Sequence, residues 1–108
     1  MTFKIEQYVD EVGSSPFDEW IRSFKKDRVT MARLLGRVRR FENGNLGDCK
    51  SLGEGIFENR VDFVPGYRIY FGRRGDSLII LLGGGDKSTQ TRDIERAKGN
   101  WTRWKHEN

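Results

Sequence analysis

The sequence predicts an α+β domain: a mainly antiparallel sheet of about four strands, a two-helix hairpin packed on one face, and a short C-terminal helix. Three observations predict it. Apolar and polar residues alternate over residues 3–9 and again from 56 to 71, two apolar stripes at helical spacing lie between those stretches, and "LIILL" at 78–82 is apolar on both parities. With 108 residues, 35% of them hydrophobic, and no long Pro/Gly/Ser linker, the chain has the size of a single domain, 1–108.

The first strand is expected over 3–9, where Phe3, Ile5 and Val9 share one parity and Lys4, Glu6, Tyr8 and Asp10 the other. A helix then begins in "SSPFDEWIRSFK": Ser15 can cap it, Pro16 suits the first turn, and Asp18 favours its positive end. Phe17, Trp20, Ile21 and Phe24 form its apolar stripe. Asp27 can cap a second helix running to about Asn43, with Met31, Leu34, Leu35, Val38 and Phe41 as its stripe and Gly44 as its stop. The segment 44–55 holds four glycines with Asn, Asp and Ser, the composition of a loop.

Three strands are expected next. In "IFENRVDF" Phe57, Val61 and Phe63 alternate with Glu58, Arg60 and Asp62; after a "VPG" turn, Tyr67, Ile69 and Phe71 alternate with Arg68 and Tyr70. "RRGD" at 73–76 reads as a tight turn into "SLIILL", a central strand covered on both sides. Thr89 or Thr91 can cap a last helix carrying Ile94, Ala97 and Trp101, which Gly99 weakens.

Composition narrows the function classes. The longest apolar run is far short of the roughly 20 residues of a membrane helix, and the start is too acidic for a secretory signal, so a cytoplasmic protein without a membrane partner is expected. Cys49 and His106 are each alone, which leaves no internal disulfide and no zinc pattern; Cys49 reads as a buried or half-buried loop thiol. "GGGDKST" lacks the phosphate-loop spacing, and no Ser/His/Asp set or paired-carboxylate cleft is visible. No cofactor and no metal are implied.

The net charge of +4 is unevenly spread: residues 1–21 hold five acids and one lysine, whereas 22–40 hold eight Lys/Arg and only Asp27. Such a block favours a polyanionic partner. Arg33, Arg37 and Arg40 share one side of the second helix, either as its wet face or as a face toward RNA. On the sheet, Arg60, Arg68 and Tyr70 share the polar parity, and Lys87 follows the three glycines near the same end. A groove of two guanidiniums, an ammonium and a phenol suits a phosphodiester, the arginines binding phosphate oxygens and the ring stacking on an unpaired base. RNA cleavage by its own 2′-hydroxyl requires no metal, because cations can stabilise the charge that develops on phosphorus. The alternatives at this point are an electrostatic platform or scattered surface arginines.

The run "GNLGDCKSLGEGIFENRVDFVPGYRIYFGRRGDSLIILLGGGDKSTQTRDIERAK", with the preceding "RLLGRVRRFENG", resembles the RelE/ParE toxin superfamily, and more narrowly its phage-derived, HigB-like "addiction module killer protein" branch. The resemblance spans nearly the whole chain. It implies a compact RelE-like fold and a type II toxin: a ribosome-dependent endoribonuclease, an mRNA interferase that cuts messenger RNA in the ribosomal A site and arrests growth. It also implies a helix-turn-helix, HigA-like antitoxin from the same operon, with operator DNA reached only through the antitoxin complex. The family's basic catalytic residues correspond to Arg68 in "GYR", Arg60 on the preceding strand and Lys87 after the glycines. Where relatives carry a base-stacking tyrosine in the last helix this chain has "TRDIERAK", leaving Tyr70 or Gln90 to take that part. The expected RNA- or ribosome-contacting set is Arg33, Arg37, Arg40, Lys50, Arg73 and Gln90. The superfamily also holds gyrase inhibitors on the same scaffold, so a ParE-like gyrase inhibitor and a non-catalytic basic nucleic-acid-binding module stand as alternatives.

Overall fold

Alternating side chains and helix caps set the local structure in a computed structural model that describes residues 1–63 and 65–108. Val64, in the expected "VPG" turn, lies outside the described residues. The elements in chain order are β1 (Lys4–Gln7), α1 (Pro16–Arg22), α2 (Arg28–Glu42), β2 (Cys49–Gly53), β3 (Ile56–Val61), β4 (Tyr67–Arg74), β5 (Leu78–Asp86), a 3-10 turn (Lys87–Thr89) and α3 (Gln90–Glu107).

The helices on the first face start where their side chains can satisfy free N–H groups. Ser15 Oγ accepts from Asp18 N at 3.2 Å with Pro16 in the first turn, and Asp27 Oδ1 accepts from Thr30 N at 3.2 Å. Phe17 and Ile21 of α1 and Leu34 and Phe41 of α2 bury against Ile69, Phe71, Ile79 and Leu81 of the sheet.

The strand order is β1-β5-β4-β3-β2. This corrects the expected four-stranded, mainly antiparallel sheet: there are five strands and the sheet is mixed, because β1 runs parallel to β5 from Lys4↔Leu78 to Gln7↔Leu81. The added strand, β2, lies in the segment expected to be a loop. It is an edge strand whose Lys50 and Ser51 are exposed, and it is defined by backbone pairing to β3 (Lys50↔Glu58, Ser51↔Phe57) with a bulge before Gly53, so it lacks an apolar alternation.

The C-terminal helix also corrects the expectation of a short one. It has 18 residues and covers the second face of the sheet, where Ala97, Trp101 and Trp104 close a separate core with Tyr8, Ile56, Tyr70, Ile80 and Leu82. A mid-helix glycine costs about 1 kcal/mol, whereas truncating a buried Trp costs about 3–5 kcal/mol, so two buried tryptophans outweigh Gly99. The sheet therefore lies between two helical layers, and β5 contributes Ile79 and Leu81 to one core and Ile80 and Leu82 to the other.

Candidate functional site

Antiparallel pairing brings like parities together, and this is what builds the site. β3 and β4 place Arg60 opposite Arg68, and Glu58 opposite Tyr70, all on the face that α3 covers. The helix does not reach the Arg60–Arg68 end. There the two guanidiniums and Lys87, the first residue of the 3-10 turn, line a groove of about 660 Å³ together with Asp48, Asp62 and Phe63. That volume falls within the range of about 300–1,000 Å³ typical of small-ligand sites.

Beneath the groove lies a carboxylate. Glu58 is 1% exposed; its Oε1 is 3.8 Å from the Nε of both Arg60 and Arg68, and its Oε2 accepts from Gln90 Nε2 at 2.7 Å. Glu58 thus lies within ion-pair distance of both guanidiniums, with its hydrogen bond going to the first residue of α3. The side chain of Arg68 is 13% exposed and donates through Nη1 to the carbonyls of Gly66 (3.3 Å) and Tyr67 (3.4 Å), while its buried Nε has no hydrogen-bond partner among the described residues. The side chain of Arg60, 42% exposed, is the freer of the two. Asp86, just before Lys87, is spent on the turn: it accepts from Ser88 N at 2.8 Å, and its hydrogen bonds from Ser88 hold its carboxyl below the usual carboxylate range.

The expected residues divide clearly. Arg60, Arg68 and Lys87 converge on the groove. Tyr70 does not: it is 0% exposed in the core under α3, and burial, followed by the charges of Glu58 and Asp93, pushes its phenol well above the ordinary value. Tyr70 therefore cannot stack on a base; parity gives its face of the sheet but does not reveal that α3 covers it. Gln90 reaches the site as the partner of Glu58 rather than as a free contact. Lys50 is exposed across from Glu58 on the edge strand.

Arg73 is at the other end of β4, donating to Gly75 O at 2.9 Å, pairing with Asp76 and lying over the Phe3 ring, so it clamps the hairpin and is absent from the groove. On α2, Arg33 is exposed and its guanidinium lies 4.9 Å from the centre of the Phe63 ring, linking that helix to a groove-lining side chain. Arg37 is half-buried beside Gly47, and Arg40 is exposed.

Two participants escaped the sequence reading. Glu58 was detectable as a same-parity carboxylate two residues before Arg60, and Phe63 as the last apolar member of that alternation, but neither pattern states that the side chain meets a guanidinium.

The glycines also read differently in three dimensions. A Cβ on Gly84 would come within 2.2 Å of the Trp20 ring and one on Gly85 within 1.9 Å of the Asp93 carboxylate, so these positions admit the protein's own side chains on opposite faces.

The fold and site define an α+β protein with a groove lined by three cations and two carboxylates on its helix-covered mixed sheet. Over 82 residues the chain is 48% identical to an uncharacterized protein of Haemophilus influenzae (strain ATCC 51907 / DSM 11121 / KW20 / Rd), a match that covers 76% of this chain and 82% of that protein. The chain belongs to the same family as that protein. No family model matches it. No helix among the described residues is long and apolar enough to cross a membrane.

Proposed function

We propose that the protein is the toxin of a type II toxin–antitoxin system, a ribosome-dependent mRNA endoribonuclease of the RelE/ParE kind that works in the cytoplasm and is neutralised by a helix-turn-helix antitoxin. The observation that carries the reading is the register pair Arg60↔Arg68, within ion-pair distance of Glu58 and facing a groove that Lys87 also lines.

In this reading an RNA phosphate binds across the outer donors of the two arginines. The 2′-oxygen of the preceding nucleotide attacks phosphorus, its proton passing to water, and the P–O5′ bond breaks to give a 2′,3′-cyclic phosphate and a 5′-hydroxyl. Arginine stays charged throughout and stabilises the added negative charge; Lys87, as an ammonium, can give a proton to the leaving 5′-oxygen. Glu58, hydrogen-bonded to Gln90, partly offsets the charge of both guanidiniums at ion-pair distance.

The test is to map RNA 5′ ends after brief induction in cells. New ends within coding sequences are expected. Arg60→Ala and Lys87→Ala, both changes to accessible side chains, should each lower cutting by about 100-fold, as for loss of one transition-state donor, with unfolding midpoints near that of the parent protein. Growth arrest with unchanged 5′ ends would overturn the reading, and DNA-damage signalling under those conditions would point to gyrase instead.

A further inference from the structure

The groove beside Arg60 and Arg68 carries little net charge of its own. Its three cations, Arg60, Arg68 and Lys87, share the lining with Asp48 and Asp62 and lie above Glu58. A polyanion held there draws on cations from elsewhere, and α2 has them. The helix carries five arginines, and among the described residues none of them has a carboxylate within ion-pair distance.

Helical spacing sorts these arginines into two sets. Arg33, Arg37 and Arg40 fall on one flank of the stripe that buries Leu34 and Phe41, and Arg28 and Arg39 fall on the other. Only the first set adjoins the groove. The Arg33 guanidinium lies 4.9 Å from the centre of the Phe63 ring, which lines the groove. A Cβ on Gly47 would come within 3.3 Å of Arg37 Nη1, and the next residue, Asp48, is again part of the groove wall. Arg40, exposed, continues the row one turn further on. The two acids at the ends of α2 leave this row unneutralised: Asp27 caps the helix, accepting from Thr30 N and Thr30 Oγ1, and Glu42 falls on the side opposite the row.

We propose that Arg33, Arg37 and Arg40 form a track for single-stranded RNA, which passes from the groove over Phe63 and along α2 with one phosphate to each guanidinium. Residues four apart rise about 6 Å along a helix, close to the step between successive phosphates of an extended strand. Each guanidinium presents a fork of donors that matches phosphate oxygens and stays charged. Continuity with a groove for phosphodiesters favours RNA over an acidic protein as the occupant. The inference rests on reading that groove as an RNA site and assigns the flanking strand to α2, which supplies the affinity that the nearly balanced groove lacks.

The test is fluorescence anisotropy across a salt series with a labelled 2′-O-methyl decauridylate, which lacks the attacking 2′-hydroxyl and so reads binding apart from cleavage. Arg37→Gln/Arg40→Gln should weaken binding about tenfold at low salt and reduce the magnitude of the log–log salt slope by about 1.4, and adding Arg33→Gln should remove about 0.7 more. Arg28→Gln/Arg39→Gln, the same change in charge on the opposite flank, should leave affinity and slope unchanged. Equal losses for the two double variants, equal competition by a decaglutamate peptide, or absence of binding would each overturn the proposal. New 5′ ends in coding sequences with no loss of slope in Arg37→Gln/Arg40→Gln would overturn the track and leave the nuclease reading standing; the expected slopes without new ends would do the reverse.

Discussion

Tyr70 and Arg68 stand two residues apart on the same face of β4, yet one is sealed in a core and the other reaches a groove. The difference follows from what covers them: α3 packs over Tyr70, and its hydroxyl, close to Glu58, finds no hydrogen bond of good geometry among the described residues. Burial raises the phenol's pKa above its ordinary value of 10.0, with the Glu58 and Asp93 charges adding to the shift. The native state therefore keeps this proton at pH values where the unfolded chain has lost it. Unfolding above that point releases a proton, so stability falls as pH rises through and beyond the ordinary tyrosine value, by up to about 1.4 kcal/mol per pH unit. Burial moves Tyr67 in the same direction, so wild type alone does not isolate Tyr70. Comparison with Tyr70→Phe does: between about pH 9 and 11 the wild type should lose about 1 kcal/mol more than the variant in urea unfolding. At neutral pH the variant should unfold within about 1 kcal/mol of wild type, because the deleted hydroxyl lacks a partner.

At the scale of elements, two glycines act as sockets for tryptophans on opposite faces of the sheet. Gly84 receives Trp20 from α1, and Gly72 receives Trp101 from α3; a Cβ on Gly72 would come within 2.3 Å of the Trp101 ring. That ring is fixed, stacked on Trp104 at 5.3 Å and donating through Nε1 to Glu54 O at 2.8 Å. Gly72→Ala should therefore destabilise by about 1–3 kcal/mol through overpacking. Gly36→Ala in α2, where a Cβ meets nothing within 4 Å, should be neutral or stabilising by up to about 1 kcal/mol. Equal urea midpoints for the two variants would contradict this account. The same contrast explains what the sequence disclosed. The starts of α1 and α2 were legible because capping is local: Ser15, Pro16 and Asp27 act on N–H groups within three residues. The strand β2 was not, since an exposed edge strand takes its conformation from its neighbour's backbone, and the length of α3 was not, since Gly99 argued against a helix that Trp101 and Trp104 hold by burial.

Across the whole molecule, a net charge of +4 says little by itself; what matters is where cations remain available. The convergence of Arg60 and Arg68 was legible because strand pairing joins like parities, whereas the neutralising role of Glu58 depends on side-chain reach that spacing does not encode. Glu58 leaves the pair less positive than its residue types imply, and this gives opposite expectations for two nearby substitutions. Binding of a single-stranded RNA, followed by fluorescence anisotropy across a salt series, should weaken with a log–log slope of about −0.7 for each phosphate neutralised. Arg60→Ala should reduce the magnitude of that slope by about 0.7, whereas Glu58→Gln, which removes the buried negative charge and keeps an oxygen beside Gln90, should strengthen binding at low salt. Arg73→Ala makes the same change in net charge as Arg60→Ala, but at the far hairpin, where Arg73 serves Gly75, Asp76 and Phe3. It should leave the slope unchanged. A slope that tracks net charge alone, falling equally for Arg60→Ala and Arg73→Ala, would mean that RNA is held by the diffuse field of the surface and not by the groove between β3, β4 and the start of α3.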